Sequence, residues 1–230
     1  METAIVSGEE NMDEMDQSDT EYTLSASLKS FFISSTFTDF TIQVADEEFK
    51  VHKLIICGQS EFFSRMFNTQ WKETAEDVIK LEDDPRTIEA MIRFMYGFDY
   101  DGSIHGRISP MLFSVRVYVV AEFYGIPGLK DQAKTKFEAA VQTCWDMDDF
   151  PAVITEVYTT TLPTDQTLRR VLVATATEHI ELLLQKDEFV RALELCGSFA
   201  ADVLRRLGQN QSAGNQRHKC PNCGASWGWN

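Results

Sequence analysis

The chain has few positive charges for its length, and this shortage limits what it can bind. Lysine and arginine together number 21, against 36 aspartates and glutamates, which gives a formal net charge of −15 over 230 residues. Nucleic-acid binding relies on clustered bases that neutralise phosphates. The few bases near the C-terminus form no extended basic stretch. We therefore expect no direct contact with DNA or RNA.

Long apolar runs and the motifs of familiar catalytic sites are also missing. No stretch approaches the length of a membrane-spanning helix, and the N-terminus carries acids where a secretory signal has bases. The sequence contains no glycine-rich phosphate loop, no His-Glu-x-x-His and no Gly-x-Ser-x-Gly. These absences favour a non-enzymatic protein without a membrane contact, located in the cytoplasm, the nucleus or both. An enzyme with an unfamiliar type of site is the alternative.

Cysteine is scarce, with five in the chain. Cys57, Cys144 and Cys196 occur in apolar helical patterns, where a thiol acts as a small apolar residue. Such usage suits a reducing compartment. With 43% apolar residues, the chain is long enough for one or two domains.

The most specific pattern lies between residues 39 and 73. Apolar and polar side chains alternate over residues 40–44 and again over 49–51, and Asp46-Glu47 supplies a turn between them. A period of two with a central turn predicts a half-buried β-hairpin.

A helical pattern follows the hairpin. Ser60 is placed to cap a helix, and four apolar residues share one face of it. Further on, residues 78–81 predict a third short strand, and Asp84-Pro85 and Ser109-Pro110 predict helix starts. The apolar face of the capped helix consists of Phe62, Phe63, Met66 and Phe67.

This segment resembles the BTB/POZ domain, a protein-interaction module, and the resemblance extends from about residue 24 to about residue 137. It rests on Asp39 at the first strand, on His52-Lys53 after the second strand, and on the Ser-x-x-Phe-x-x-Met-Phe pattern that starts at Ser60. The helix ends at Met91–Tyr96 and Val117–Ile126 are similar to the family as well. The resemblance implies an α+β fold, in which a small β-sheet is covered by helices, followed by an all-helical extension.

Four segments are predicted along the chain. The first 22 residues carry eight acids and no base, which is typical of a disordered segment. Beyond Trp145 the apolar spacing predicts helices, the last of them carrying Phe189, Leu193, Cys196 and Val203. No kelch, MATH or zinc-finger domain fits into the residues available. The predicted segments are a disordered acidic leader (1–22), a BTB/POZ domain (23–142), a helical extension (143–208) and a tail with Cys-x-x-Cys (209–230).

The resemblance implies self-association into a homodimer. In the family the first helix often packs on a partner chain, and an Asp and a basic residue line a pocket at the interface. The residues predicted for this interface are Leu28, Phe31, Phe32, Asp39 and Lys53. A solvated ion pair between Asp39 and Lys53 is the alternative.

A second contact is implied by Trp71-Lys72-Glu73, which resembles the motif through which many BTB adaptors engage a cullin scaffold of ubiquitin ligases. Trp71 would fill a pocket on the partner and Glu73 would pair with a base, unless Trp71 only seals the domain's own core. The first hypothesis is a substrate adaptor for a cullin-type ubiquitin ligase. The alternative is a nuclear scaffold that recruits transcription regulators without ubiquitin chemistry.

His52 and the cysteine pair near the C-terminus carry side chains of the types that bind metal ions. His52 has no metal-ligating neighbour in sequence and is predicted to bond to backbone. The turn from Cys220 to Cys223, Cys-Pro-x-Cys-Gly, looks like half of a zinc ribbon and predicts two thiolates on one zinc ion. The other two ligands would be His218, a cysteine or histidine such as Cys196 or His179, or the same cysteine pair of a second chain. A redox pair or two exposed thiols are the alternative.

Overall fold

The computed structural model describes residues 17–69, 77–100, 109–213, 218–219 and 226–227. Helices dominate, and the short strands lie near the start of the chain and in the tail. None of the helices in these ranges is both long and apolar enough to cross a membrane. The elements are α1 (Gln17–Ser34), β1 (Phe40–Val44), β2 (Glu47–Val51), α2 (Lys53–Gln59), α3 (Glu61–Asn68), β3 (Val78–Leu81), α4 (Pro85–Met95), α5 (Pro110–Phe123), α6 (Pro127–Cys144), α7 (Phe150–Thr160), α8 (Thr167–Glu178), α9 (Ile180–Leu183), α10 (Asp187–Leu195), α11 (Gly197–Ala213), β4 (His218–Lys219) and β5 (Ser226–Trp227).

The main sheet has three strands in the order β2-β1-β3. Strand β1 pairs antiparallel with β2, with Phe40 opposite Val51, and parallel with β3, with Thr41 opposite Val78. Alternate residues of β1 are buried and face the core. The predicted hairpin, third strand and α+β fold are confirmed. The parallel pairing of β1 with β3 follows from no local sequence pattern.

Helix ends lie where the sequence predicts them. The Ser60 hydroxyl accepts the backbone N–H of Phe63, and the Asp84 carboxylate accepts that of Thr87. The Ser109 hydroxyl caps α5 in the same way. Gly97, with φ of +78°, follows α4 in the left-handed conformation that favours glycine.

One core runs from the sheet through the helices of the extension. Helix α5 packs on α7, and α6 packs on α8, so the extension shares its apolar interior with the rest of the chain. The buried side chains that bridge the two parts lie on α6 and on the extension helices. They include Phe137 and Val141 of α6, and Phe150, Val157, Leu168 and Leu172 of α7 and α8.

A polar network also joins the two parts. The Tyr118 hydroxyl donates to Asp165 (2.8 Å), and the Lys130 ammonium pairs with Asp165 (3.2 Å) and Glu122 (2.6 Å). Burial alone would raise the pKa of the Asp165 carboxyl, but hydrogen bonds from Thr167, Tyr118 and Lys130 lower that pKa to about 2. This carboxylate therefore stays ionised and fixes the loop between α7 and α8 to α5 and α6.

Two element boundaries differ from the predictions. The last predicted helix is two helices, because the Cys196 backbone leaves the helical region (φ −108°, ψ 73°) between α10 and α11. Helix α1 begins at Gln17, inside the predicted leader, whereas residues 1–16 lie outside the described residues. The segment boundaries at residues 142 and 208 stay a prediction.

Candidate interaction surface

Helix α1 presents apolar side chains to solvent. None of its side chains from Leu24 onward is fully buried, and Leu24 and Ile33 are 64% and 74% exposed. Leu24 and Phe31 are seven residues apart, which places them two turns apart on one edge of the helix. An apolar edge of this kind is left uncovered by the chain's own core.

The residue that extends this edge is Phe37, just beyond the helix. Its side chain is 79% exposed, and its ring lies 5.8 Å from that of Phe31 in an edge-to-face arrangement. Its φ of +61° is the left-handed conformation, which is strained for a bulky residue. We call Leu24, Phe31 and Phe37 the α1 surface.

Two of the predicted interface residues are partly covered by the chain's own core, and their role at an interface stays a prediction. Leu28 and Phe32 are half-buried and pack against the chain's own core. The Phe32 ring stacks on the Tyr96 ring with 4.6 Å between centroids. These two side chains hold α1 on the domain, and Phe31 is the predicted apolar interface residue that remains exposed.

Asp39 and Lys53 lie close together, as predicted, but not as an ion pair. The Asp39 carboxylate accepts the backbone N–H of Lys53 at 2.7 Å. Lys53 is the first residue of α2, so the carboxylate sits at a helix N-terminus, where a negative charge is favourable. The Lys53 ammonium pairs with Asp77 instead and lies 5.4 Å from the Phe67 ring centroid. Asp77 was not singled out by the sequence, because no local pattern marks it.

His52 bonds to backbone, as predicted. Its Nε2 lies 2.8 Å from the Thr36 carbonyl oxygen, and its Nδ1 lies 2.7 Å from the Tyr96 hydroxyl. The same hydroxyl accepts the backbone N–H of His52 at 2.8 Å. Burial raises the pKa of Tyr96 to about 12, although the His52 N–H lowers it in part. The hydroxyl is therefore protonated at neutral pH.

The predicted cullin and zinc residues, Trp71, Glu73, Cys220 and Cys223, lie outside the described residues. Within the described ranges, no group of three or more histidine, cysteine or acidic side chains is placed to hold a metal ion. The thiols of Cys57, Cys144 and Cys196 are half-buried and free. The structure does describe the elements next to these residues. Helix α3 ends at Asn68, before Trp71, and strands β4 and β5 lie on either side of the segment with Cys220 and Cys223.

A further apolar feature lies between α5 and the extension. Phe123 is 67% exposed, and its ring lies 5.8 Å from the ring of Phe62 in α3. Leu162, which is also exposed, lines a groove with Phe123 and Val119. No local sequence pattern predicts this groove, because residues distant in the chain form it.

Comparison with known families identifies the type of domain. The model of the BTB/POZ domain family matches residues 28–141. Residues 28–141 are a BTB/POZ domain. This domain is a protein-interaction module. The predicted resemblance is confirmed over this range.

Similar curated proteins carry the BTB/POZ domain in larger chains. "Kelch repeat and BTB domain-containing protein 4" of Homo sapiens is 29% identical over 106 residues, which are 46% of this chain and 19% of that protein. "TD and POZ domain-containing protein 3" of Mus musculus is 33% identical over 112 residues, 49% of this chain and 30% of that protein. "BTB/POZ and MATH domain-containing protein 6" of Arabidopsis thaliana is 34% identical over 74 residues, 32% of this chain and 17% of that protein. The chain thus matches less than a third of the length of these relatives.

Among solved structures, the BTB domain of zebrafish PATZ1 aligns with 54% of this chain and 95% of its own. The sequence identity is 14% and the TM-score is 0.43.

Proposed function

We propose that this chain is a self-associating adaptor that brings other proteins to a cullin-type ubiquitin ligase scaffold. The observation that carries the proposal is the α1 surface on a protein-interaction domain. Exposed phenylalanines cost free energy in water, and one of them also sits in a strained backbone conformation. A second copy that covers Leu24, Phe31 and Phe37 would remove this apolar area from water.

A two-fold arrangement doubles each contribution, because the same surface is buried on both chains. Full burial of one phenylalanine is worth about 1.5 to 3 kcal/mol. Because Phe31 is 38% exposed and Phe37 is 79% exposed, these rings from both copies supply part of the free energy that offsets the cost of association. Leu24 and the polar edge of the contact would supply the rest. Asp39, which is exposed beside Lys53, would lie at the edge of the same contact.

Self-association is tested by sedimentation equilibrium of the full chain and of Phe37→Asp. We expect the wild type to be a dimer and the variant to dissociate at least tenfold more readily, because the variant places a charge in the contact. The matched control is Leu204→Asp, whose side chain is 68% exposed on α11. A monomeric wild type at tens of micromolar, or equal weakening by both variants, would contradict self-association.

The cullin contact is proposed from Trp71-Lys72-Glu73, on the resemblance to the adaptor motif. An exposed apolar side chain near the motif supports this contact. Phe123 is mostly exposed and lies against Phe62 of α3, the helix that precedes Trp71 in the chain. A large apolar anchor with a charged neighbour is the usual composition of an interface centre. A dimeric adaptor would also bind a multivalent client more tightly than a single copy.

The test of the cullin contact is native mass spectrometry of the full chain with the N-terminal domain of a BTB-binding cullin. Dimers that carry cullin are expected, and the paired change Trp71→Ala with Glu73→Lys is expected to abolish the complex. Glu48→Lys, an equal charge reversal at an exposed position of β2, serves as the control. Free dimers that ignore the cullin would overturn the ubiquitin role and favour the recruitment of transcription regulators.

A zinc ion on Cys220 and Cys223 is proposed for the tail. Supporting it, strands β4 and β5 pair antiparallel, with Lys219 opposite Ser226, so the two ends of the segment that contains both cysteines are close together. Two thiolates at this spacing suit one tetrahedral zinc, with the other two ligands contributed by a second copy. Elemental analysis is expected to give one zinc per two chains, lost in Cys220→Ser and kept in Cys144→Ser. Equal zinc content in both variants would refute this site.

A further inference from the structure

Helix α1 is held at its C-terminal end by two groups from distant parts of the chain. The Tyr96 hydroxyl and the His52 imidazole connect α4, the end of β2 and the Thr36 carbonyl in one chain of hydrogen bonds. We infer that this Tyr96–His52–Thr36 chain is a latch that positions the α1 surface and thereby sets the affinity of self-association. The inference deepens the proposed function and rests on it.

The hydrogen-bond roles in the latch follow from its acceptors. A carbonyl oxygen only accepts, so Nε2 of His52 donates to Thr36 and carries the hydrogen. The backbone N–H of His52 donates to the Tyr96 oxygen, and the Tyr96 hydroxyl then donates to Nδ1. Each donor and acceptor is used once in this arrangement. Tyr96 is only 1% exposed, so water does not replace a lost bond there.

The latch acts at the place where the α1 surface is built. Thr36 directly precedes Phe37, and the His52 ring lies 6.5 Å from the Phe31 ring. Tyr96 also supports α1 through its ring, which stacks on Phe32. The Tyr96 hydroxyl acts on Thr36 through His52, and the Tyr96 ring contacts Phe32. Removal of the hydroxyl alone therefore loosens the Thr36 turn and leaves the contact with Phe32.

Among the described residues, the turn that follows α1 has few polar contacts with other elements. The turn at Ser35 and Phe37 has positive φ at two non-glycine residues, a conformation that needs support from its surroundings. Within the described residues, the polar tie from this turn to another element is the bond from His52 to Thr36. The turn carries Phe37, whose ring is mostly exposed. Loss of the latch therefore allows Phe37 and Phe31 to leave the arrangement that a partner copy recognises.

The test uses Tyr96→Phe in the full chain, with Tyr124→Phe as the matched control. Tyr124 is also buried, and its hydroxyl donates to Asp83 at 2.6 Å, on a bond that does not involve α1. Both variants lose the hydroxyl of a buried tyrosine; Tyr96→Phe removes two hydrogen bonds, both with His52, and Tyr124→Phe removes the one with Asp83. Two quantities are measured: the dimer dissociation constant by sedimentation equilibrium, and amide hydrogen exchange of residues 30–37.

Tyr96→Phe is expected to raise the dissociation constant about tenfold and to speed amide exchange at Ser35 and Thr36 at least fivefold. Tyr124→Phe is expected to change neither quantity by more than twofold. A second variant, His52→Leu, removes both ring bonds at a half-exposed position and should reproduce the effects of Tyr96→Phe. It also keeps the test available if Tyr96→Phe does not fold.

The outcomes separate the latch from the proposed self-association. Unchanged exchange in Tyr96→Phe and His52→Leu would overturn the latch even if the wild type is a dimer. Faster exchange with an unchanged dissociation constant would overturn its link to self-association. A monomeric wild type would refute the proposed function and with it that link, whereas exchange would still show whether the latch holds α1.

Discussion

Helices α1 and α6 both have 18 residues, yet their side chains are buried to very different extents. Helix α6 buries Leu129, Ala133, Phe137 and Val141, a stripe at intervals of four residues. Over its described side chains, α1 has no fully buried residue. Both helices have apolar residues at helical spacing in the sequence. Such spacing alone does not show whether the apolar face is buried by the same chain or left exposed. Helix α6 is stabilised by its own chain, whereas α1 leaves apolar side chains exposed to solvent.

The largest expected effect is a difference in the free energy of unfolding between two variants, each of which loses one phenylalanine from one of these helices. Phe137→Ala in α6 should lower the free energy of unfolding by about 3 to 5 kcal/mol, because a fully buried ring is lost. Phe31→Ala in α1 should lower it by at most about 1 kcal/mol in the single chain. Urea denaturation at low protein concentration measures both, so that self-association does not contribute. Similar losses for the two variants would remove the contrast.

The next effect concerns the bond between α6 and the extension. The pKa of Asp165 is about 2 in the folded chain, below the value of about 3.9 for an unfolded chain. Its contribution to stability, about 2 kcal/mol, is therefore present above about pH 4 and lost as pH falls toward 2. Asp165→Asn should be less stable than wild type at pH 7, with the difference shrinking below pH 4.

Thermal or urea unfolding between pH 2 and pH 7 tests this expectation. Thr164→Asn, at the exposed neighbouring position, should unfold like the wild type at every pH. A deficit in Asp165→Asn that stays constant down to pH 2 would show that the Lys130 and Tyr118 contacts do not depend on the charge.

The smallest effect tests the support beneath α1. Gly97→Ala would place a Cβ 3.4 Å from the Ser25 hydroxyl of α1 and keep φ at +78°. We expect a loss of about 1 kcal/mol, from the strain of a left-handed alanine. Gly58→Ala in α2, where a Cβ meets nothing within 4 Å, should be neutral or stabilising. If Gly97→Ala were neutral in chemical denaturation, the turn after α4 would be able to relax away from its left-handed conformation without loosening α1.

Local sequence patterns predicted much of the fold. The hairpin alternation and the caps at Ser60, Asp84 and Ser109 each depend on residues within a few positions of one another. The BTB/POZ resemblance added the domain type, which the family match over residues 28–141 confirms.

Contacts between distant residues were not readable from the sequence. The partner of His52 is Tyr96, 44 positions away, and the partner of Tyr118 is Asp165, 47 positions away. Neither pair leaves a periodic or local signal, because the fold alone brings them together. The sequence also did not predict that Phe32 packs against the core while Phe31 is exposed. Both are apolar, and which of two adjacent helix positions is buried depends on the elements that pack against the helix.

The parallel pairing of β1 with β3 also constrains the order of folding. The hairpin β1–β2 closes over a turn of two residues, whereas Thr41 meets Val78 only after a loop of about 37 residues has closed, at an entropic cost of about 3 kcal/mol. During synthesis, one edge of β1 therefore stays unpaired until Leu81 has left the ribosome. An unpaired edge with alternating apolar residues invites pairing with another chain. We expect nascent chains that end before β3 to depend on chaperones more than the finished chain does.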